Sequence, residues 1–273
     1  MRPPAVERPT FSTRVGPVRL PDPALRVESA AASLALYQLR RLHEFCAAPG
    51  RPLTRKGNLR LDDARHLVDV LGTGDTPDVQ IGSHRRTLRS AEDLPVLSWL
   101  VQLALDARVV RRHRGRVVAV AGWTDLPAVE AVDRLVDAAV DRGLSGFLSP
   151  HLTSMARVRD FVDQGARQLL GELLGSHADG EPMSIDKMAE RVVAHVTWNR
   201  RLNVSGRGLV AGWVRDHFDR LAALGIVTVR DVQRTTTEWG GTEATGGSAE
   251  LTPAGVPVAA RLAEEAAITV IIR

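Results

Sequence analysis

The sequence predicts a mainly α-helical chain with small β-ribbons, assembled from two tandem copies of one unit. Two observations predict it. Apolar residues recur at helical spacing along most of the chain, and the succession helix, short strand, helix, helix, strand, turn, strand, helix reads through twice. Internal recurrence is the strongest organisational signal a single sequence carries. A length of 273 residues accommodates two domains of ordinary size, and 44% hydrophobic residues give each copy the means to bury a core.

In the first half, Leu39, Leu42, Phe45 and Cys46 line one helical face, and Pro49-Gly50 stops it. Pro52-Leu53-Thr54 is short enough for one edge strand. Ala64, Leu67, Val68 and Leu71 then repeat at i, i+3, i+4, i+7, and Gly72 ends the run. Ser90 with Asp93 three residues on looks like a capping box opening a third helix, which carries Leu97, Leu100, Val101 and Ala104. Residues 109–123, VVRRHRGRVVAVAGW, switch to β-branched strands around a basic turn at His113-Arg114-Gly115. A helix from Pro127 to Arg142 closes the unit.

The second half repeats the order. A helix is expected from Arg157 to Leu174, a short strand at Pro182-Met183-Ser184, and an amphipathic helix carrying Ile185, Met188, Ala189, Val192 and Val196. The third helix runs from about Arg207 to Leu224. IVTVRDV opens a strand, a Gly/Thr-rich stretch follows, Ala249-Glu250-Leu251 returns, and Thr252-Pro253 begins a last helix. The expected boundaries are an irregular Pro-rich arm over 1–30, a first unit over 31–147, and a second over 148–273 with a C-terminal strand.

Each copy matches the order of a winged helix-turn-helix, three helices with a β-ribbon appended. HFDRLAALGIVTV (217–229) and AELTPAGVPVAARL (249–262) resemble the helix–wing–helix half of bacterial winged-helix regulators. GRPLTRKGNLRLDDARHLVDVLGTGD (50–75), residues 94–120 and LVDAAVDRGL (135–144) resemble an uncharacterised actinobacterial winged-helix module, plasmid-borne in some proteins and helicase-associated in others. That resemblance implies a winged-helix fold and an actinobacterial origin, and no particular activity.

Composition narrows the classes. The net charge is +4 and the pI near 10.1, with lysine only at Lys56 and Lys187, so the basic groups are nearly all arginine. General arginine richness reflects a GC-rich coding bias, so only local clusters point to an anionic partner. With Cys46 alone, no intrachain disulfide forms, and on an apolar face it serves as a small hydrophobe. No apolar run approaches the roughly 18 residues that span a bilayer, and the prolines of the N-terminus replace the apolar core a signal peptide needs. The expectation is a soluble cytoplasmic protein that meets no membrane.

Catalytic signals are missing. The eight histidines are scattered, no metal-ligand spacing occurs, and no Walker, dinucleotide or Gly-x-Ser-x-Gly pattern is complete. Ser, His and Asp are too dispersed to nominate a triad. No enzyme, metal or cofactor is expected.

Two basic clusters fall where a winged helix meets a duplex. Arg111, Arg112, His113, Arg114 and Arg116 crowd the first wing, where guanidinium groups reach phosphates or a minor groove. Arg200, Arg201 and Arg207, with Asn203 and Ser205 between, enter the second unit's third helix, and Arg215 extends that surface. Double-stranded DNA is the expected partner. The alternative is a protein–protein interaction scaffold that does not bind DNA, because the first unit's third helix carries acidic Glu92, Asp93 and Asp106 beside apolar Trp99 and Leu103. A helix apolar on both sides is normally buried, so Trp99 and Leu103 are expected at an interface with another unit, a second subunit in a homodimer, or a different protein.

Overall fold

Apolar side chains spaced three and four apart fold into ten α-helices among the described residues, with four small sheets between them. The computed structural model describes residues 11–76, 78–81, 84–145, 155–199, 202–236 and 242–273. The chain is mainly helical, as expected. No helix among the described residues is long and apolar enough to cross a membrane.

The first half begins with β1 (Arg14–Val18) and α1 (Pro23–Ala31), followed by α2 (Leu34–Phe45), β2 (Arg51–Pro52) and α3 (Leu61–Leu71). The irregular arm expected over 1–30 is therefore corrected from residue 14 onward. Val15 and Val18 are buried, and Asp22 caps α1 by accepting from Ala24 N–H, with Pro23 in the first turn where its missing donor costs nothing. Prolines read as irregular are here strand and cap residues.

After α3 comes a hairpin that the sequence did not reveal, β3 (Asp78–Ile81) antiparallel to β4 (His84–Thr87). Ser90 and Asp93 do form a capping box, but it caps a 3-10 turn at Ala91–Asp93. The next helix, α4 (Pro95–Asp106), is capped from a distance: the Asp75 carboxylate accepts from Val96 N–H at 3.1 Å and Leu97 N–H at 2.8 Å. β5 (Val110–His113), β6 (Arg116–Ala119) and α5 (Ala128–Arg142) complete the half. β2 joins the ribbon in the order β2-β6-β5, with Pro52 opposite Arg116.

The second half contains α6 (Ala156–Gln164), α7 (Ala166–Asp179), β7 (Met183–Ser184), α8 (Ile185–Asn199), α9 (Val204–Ala223), β8 (Val227–Thr236), β9 (Thr242–Leu251), α10 (Gly255–Glu265) and β10 (Thr269–Ile272). The single helix expected from Arg157 to Leu174 is two helices interrupted at Gly165, and α7 continues to Asp179. The third helix begins at Val204 rather than near Arg207, because Asn203 caps it, its Oδ1 accepting from Gly206 N–H at 2.8 Å. β7 pairs with β9 in the order β7-β9-β8, the same role β2 has with β6.

The two halves share one continuous apolar core. β10 runs parallel to β1, Val270 opposite Val15, so one edge of the apolar C-terminal strand is paired with the N-terminal segment, while Ile272 stays exposed. Ser33 Oγ donates to Ala223 O at 3.2 Å, fixing the start of α2 to the end of α9. Asp137 and Asp141 of α5 pair with Arg261 of α10 and Arg167 of α7. These pairs are substantially exposed and register the helices more than they stabilise them.

The turn into α10 explains the LTPAG segment. Thr252 Oγ1 donates to Gly225 O at 2.6 Å and accepts from Gly255 N–H at 3.0 Å, so one hydroxyl joins the end of α9 to the start of α10. Gly255 is pressed so closely there that a β-carbon would lie 1.9 Å from Ile226 O. Gly255→Ala is therefore expected to cost ~3 kcal/mol or more, read as a lowered urea midpoint. A wild-type midpoint would contradict this close approach.

Candidate nucleic-acid interface

The first basic cluster is built by a tight hairpin. Arg114 and Gly115 both have positive φ, 47° and 71°, the left-handed pair that a two-residue turn between twisted strands requires. Arg111, Arg112 and Arg114 are exposed and have no side-chain ion pair or hydrogen bond among the described residues. Arg116 is different. Its Nε donates to Pro49 O at 2.8 Å and its Nη2 to Gly50 O at 2.7 Å, so it ties the ribbon to the turn after α2. Two of the five N–H donors of Arg116 are thus taken by backbone carbonyls, and the residue is half-buried where its neighbours are exposed.

A neighbouring turn enlarges this cluster. Leu53 N–H donates to Gly115 O at 2.8 Å, and Thr54 N–H to Asn58 O at 2.8 Å, so the Thr54–Asn58 turn sits beside the ribbon tip. A β-carbon on Gly57 would lie 3.8 Å from Arg112 Cζ. Arg55 and Lys56 are exposed on that turn, next to Arg112 and Arg114. Sequence reasoning missed them. The available signal was the Arg-Lys-Gly-Asn turn directly after a strand expected to pair with the ribbon.

The second cluster centres on the start of α9. Val204, Ser205, Arg207 and Gly208 are exposed, and no acidic residue occupies the first turn. An uncompensated helix N-terminus of this kind favours an anion. Arg200 and Arg201 lie outside the described residues. Arg215 is corrected: it pairs with Asp186 of α8 and its Nη1 donates to Gly246 O of β9 at 3.2 Å, while Gly246 N–H donates to Asp186 Oδ2 at 2.9 Å. Burial lowers its pKa below the usual arginine range, with Asp219 opposing, and the group braces the long β8–β9 ribbon against two helices. Its guanidinium is thus directed toward Asp186 and Gly246. Along β8, Arg230 pairs with Glu250 and Arg234 with Asp219.

Trp99 and Leu103, expected at an interface, are buried within the chain at 9% and 1% exposure. Of the expected alternatives, contact with the other half is the one observed. The Arg220 guanidinium of α9 stands 5.2 Å above the Trp99 ring and donates to Leu144 O. They are therefore corrected as a surface for a subunit or another protein: the chain itself covers them.

That junction holds a polar cluster the sequence did not nominate. Ser145, Asp163 and His217 are brought together from a loop, α6 and α9. His217 Nε2 donates to Asp163 Oδ1 at 3.0 Å, Ser145 Oγ lies 3.1 Å from the same Nε2, and Ser145 N–H donates to Asp163 Oδ1 at 2.7 Å. Burial opposes ionisation of Asp163, but hydrogen bonds from His217 and Ser145 outweigh it and hold its pKa below the ordinary value. A nucleophilic relay needs serine and carboxylate on opposite ring nitrogens. Here both meet one nitrogen, so the set is a clamp between the halves. Cys46 is likewise no nucleophile: burial pushes its thiol up to about 12, against the opposing charge of Arg51. No group of three or more His, Cys, Asp or Glu among the described residues is placed to hold a metal.

No family model, curated protein or solved structure matches this chain. The functional reading therefore rests on the geometry alone.

The clamp has a pH signature. Asp163→Asn removes a charge-assisted hydrogen-bond acceptor and is expected to cost ~1–3 kcal/mol at neutral pH. Because the folded pKa lies below the unfolded value of ~3.9, the ionic part of that difference is complete above it. It is lost as pH falls through the depressed folded value. Urea midpoints of wild type and variant, measured from neutral pH downward, should converge in acid. A constant gap would show that ionisation is not what stabilises the clamp.

Proposed function

We propose that the chain is a tandem winged-helix protein that binds double-stranded DNA mainly through its second unit. The observation that carries this reading is the exposed first turn of α9, which holds no acidic residue and is followed by Arg207, on a helix that meets the β8–β9 ribbon through Arg215 and Asp219. A third helix with its N-terminal turn open and a ribbon alongside is the pair of features a winged helix offers to a groove and its flanking phosphates. The first unit adds a ribbon contact from Arg112 and Arg114, joined by Arg55 and Lys56. Its own third helix, α4, takes no part, since Trp99 is buried beneath Arg220 and the exposed Asp106 repels phosphate.

Arg200 and Arg201 precede the Asn203 cap directly in sequence and belong to the same proposed contact. Origin in a regulator or a mobile-element-associated factor accords with the family resemblance of both halves. The interaction-scaffold reading has support of its own: Leu34 and Tyr37, one turn apart on α2, are 52% and 57% exposed. It is favoured only if no duplex is bound.

Each phosphate neutralised contributes roughly 0.9 to the slope of log K against log salt. Alanine at Arg200, Arg201 and Arg207 is thus expected to flatten that slope by about two to three units. Alanine at Arg112 and Arg114 should flatten it by about one to two. Alanine at Arg41 and Arg134, which pair with Glu44 and Glu130 on their own helices, should leave it nearly unchanged. Polarisation titrations on a labelled duplex at several salt concentrations give these slopes. No binding at low salt, or an equal loss from the control pair, would contradict the proposal.

A further inference from the structure

A partly open cavity of about 200 Å³ lies in the second half, walled by α6 and α7 on one side and by α8 and α9 on the other. The break at Gly165 between α6 and α7 forms part of its wall. Phe11 adds an aromatic ring to the lining. The position of Phe11 is fixed from outside: the adjacent Ser12 N–H donates to Glu172, Glu172 pairs with Arg191 at 2.7 Å, and the Arg191 guanidinium stands 4.8 Å over the Phe11 ring. Within the wall, His195 stacks on Phe161 with centroids 5.5 Å apart and meets the edge of Phe11 at 5.4 Å.

We propose that this cavity binds a small uncharged aromatic molecule of one or two rings with one polar edge, in the class of phenol or indole. Size limits it to that scale: an apolar cavity of about 150 Å³ admits benzene, and drug-sized ligands need about 300 Å³ or more. An uncharged ligand is favoured because the lining contains no Asp, Glu, Lys or Arg among the described residues, so an ion would lose its hydration without a partner there. Flatness follows from the Phe11, His195 and Phe161 rings, which offer stacking and edge contacts to another ring. Gln168 and His217 supply the polar groups for the ligand's edge. This inference does not rest on nucleic-acid binding.

Met188 lines the cavity, whereas Met155 and Met183 do not, so the methionine methyl groups supply both probe and control. The full chain, labelled with methyl-¹³C methionine, is titrated with indole and separately with benzoate, a charged ring of similar width. Indole is expected to shift the Met188 methyl resonance saturably, with Met155 and Met183 unmoved and benzoate without effect. Val214→Phe and Val192→Phe fill the cavity from α9 and α8, and each should weaken the response at least about tenfold. If either variant does not fold, the other and the wild-type titrations decide. An unmoved Met188 resonance at the solubility limit of indole, an equal response to benzoate, or full retention in a folded filling variant would overturn the proposal.

Discussion

The arrangement of the two halves depends on the Asp163 carboxylate. It lies where α6 passes the end of α5, and it takes hydrogen bonds from the Ser145 amide and from His217 of α9. Gly143, at φ 104°, turns the chain there, and a β-carbon on it would lie 2.5 Å from Asp163 Cγ. One buried anion thus collects the linker, α6 and α9 into a fixed relation. A buried carboxylate is tolerated only when its lone pairs are met by donors. Those donors come from separate segments, so satisfying the charge also sets the geometry.

From that geometry follows the unequal use of the two units. Once the 143–145 segment is fixed beside α9, Arg220 reaches both Leu144 O and the Trp99 ring, and Trp99 is covered. The first unit keeps its ribbon, the Thr54–Asn58 turn and the Leu34–Tyr37 face of α2 at the surface. The second unit keeps the start of α9 and its long ribbon. Arg116 and Arg215, which are cations in the sequence, are building elements in the structure, each spent on carbonyl oxygens that hold a ribbon in place. The free cations are those with no such carbonyl or carboxylate within reach.

Most elements were legible from periodicity. Ala64, Leu67, Val68 and Leu71 are all buried, as are Val210, Trp213, Val214, His217, Leu221 and Leu224. The misses share a physical cause, since each depended on a partner distant in sequence. β1 is a strand because β10 pairs with it, and Asp75 caps a helix that begins 20 residues later. The break at Gly165 follows a local turn in which Gly165 N–H reaches Phe161 O and Val162 O, which helical spacing does not disclose. For the site, residue types alone separated neither Arg112 from Arg116 nor Arg207 from Arg215, because the acceptors that occupy two of them are backbone carbonyls and a carboxylate from other elements. Ser145, Asp163 and His217 likewise meet only after three segments pack.

The central claim is that the chain buries its own α4 face at the junction of the halves. Hydroxyl-radical footprinting of the native full chain tests it directly, because internal standards are built in. Trp123 is 4% exposed and Tyr37 is 57% exposed. The account predicts that Trp99 is oxidised about as slowly as Trp123 and far more slowly than Tyr37. Oxidation of Trp99 at a rate approaching that of Tyr37 would contradict it.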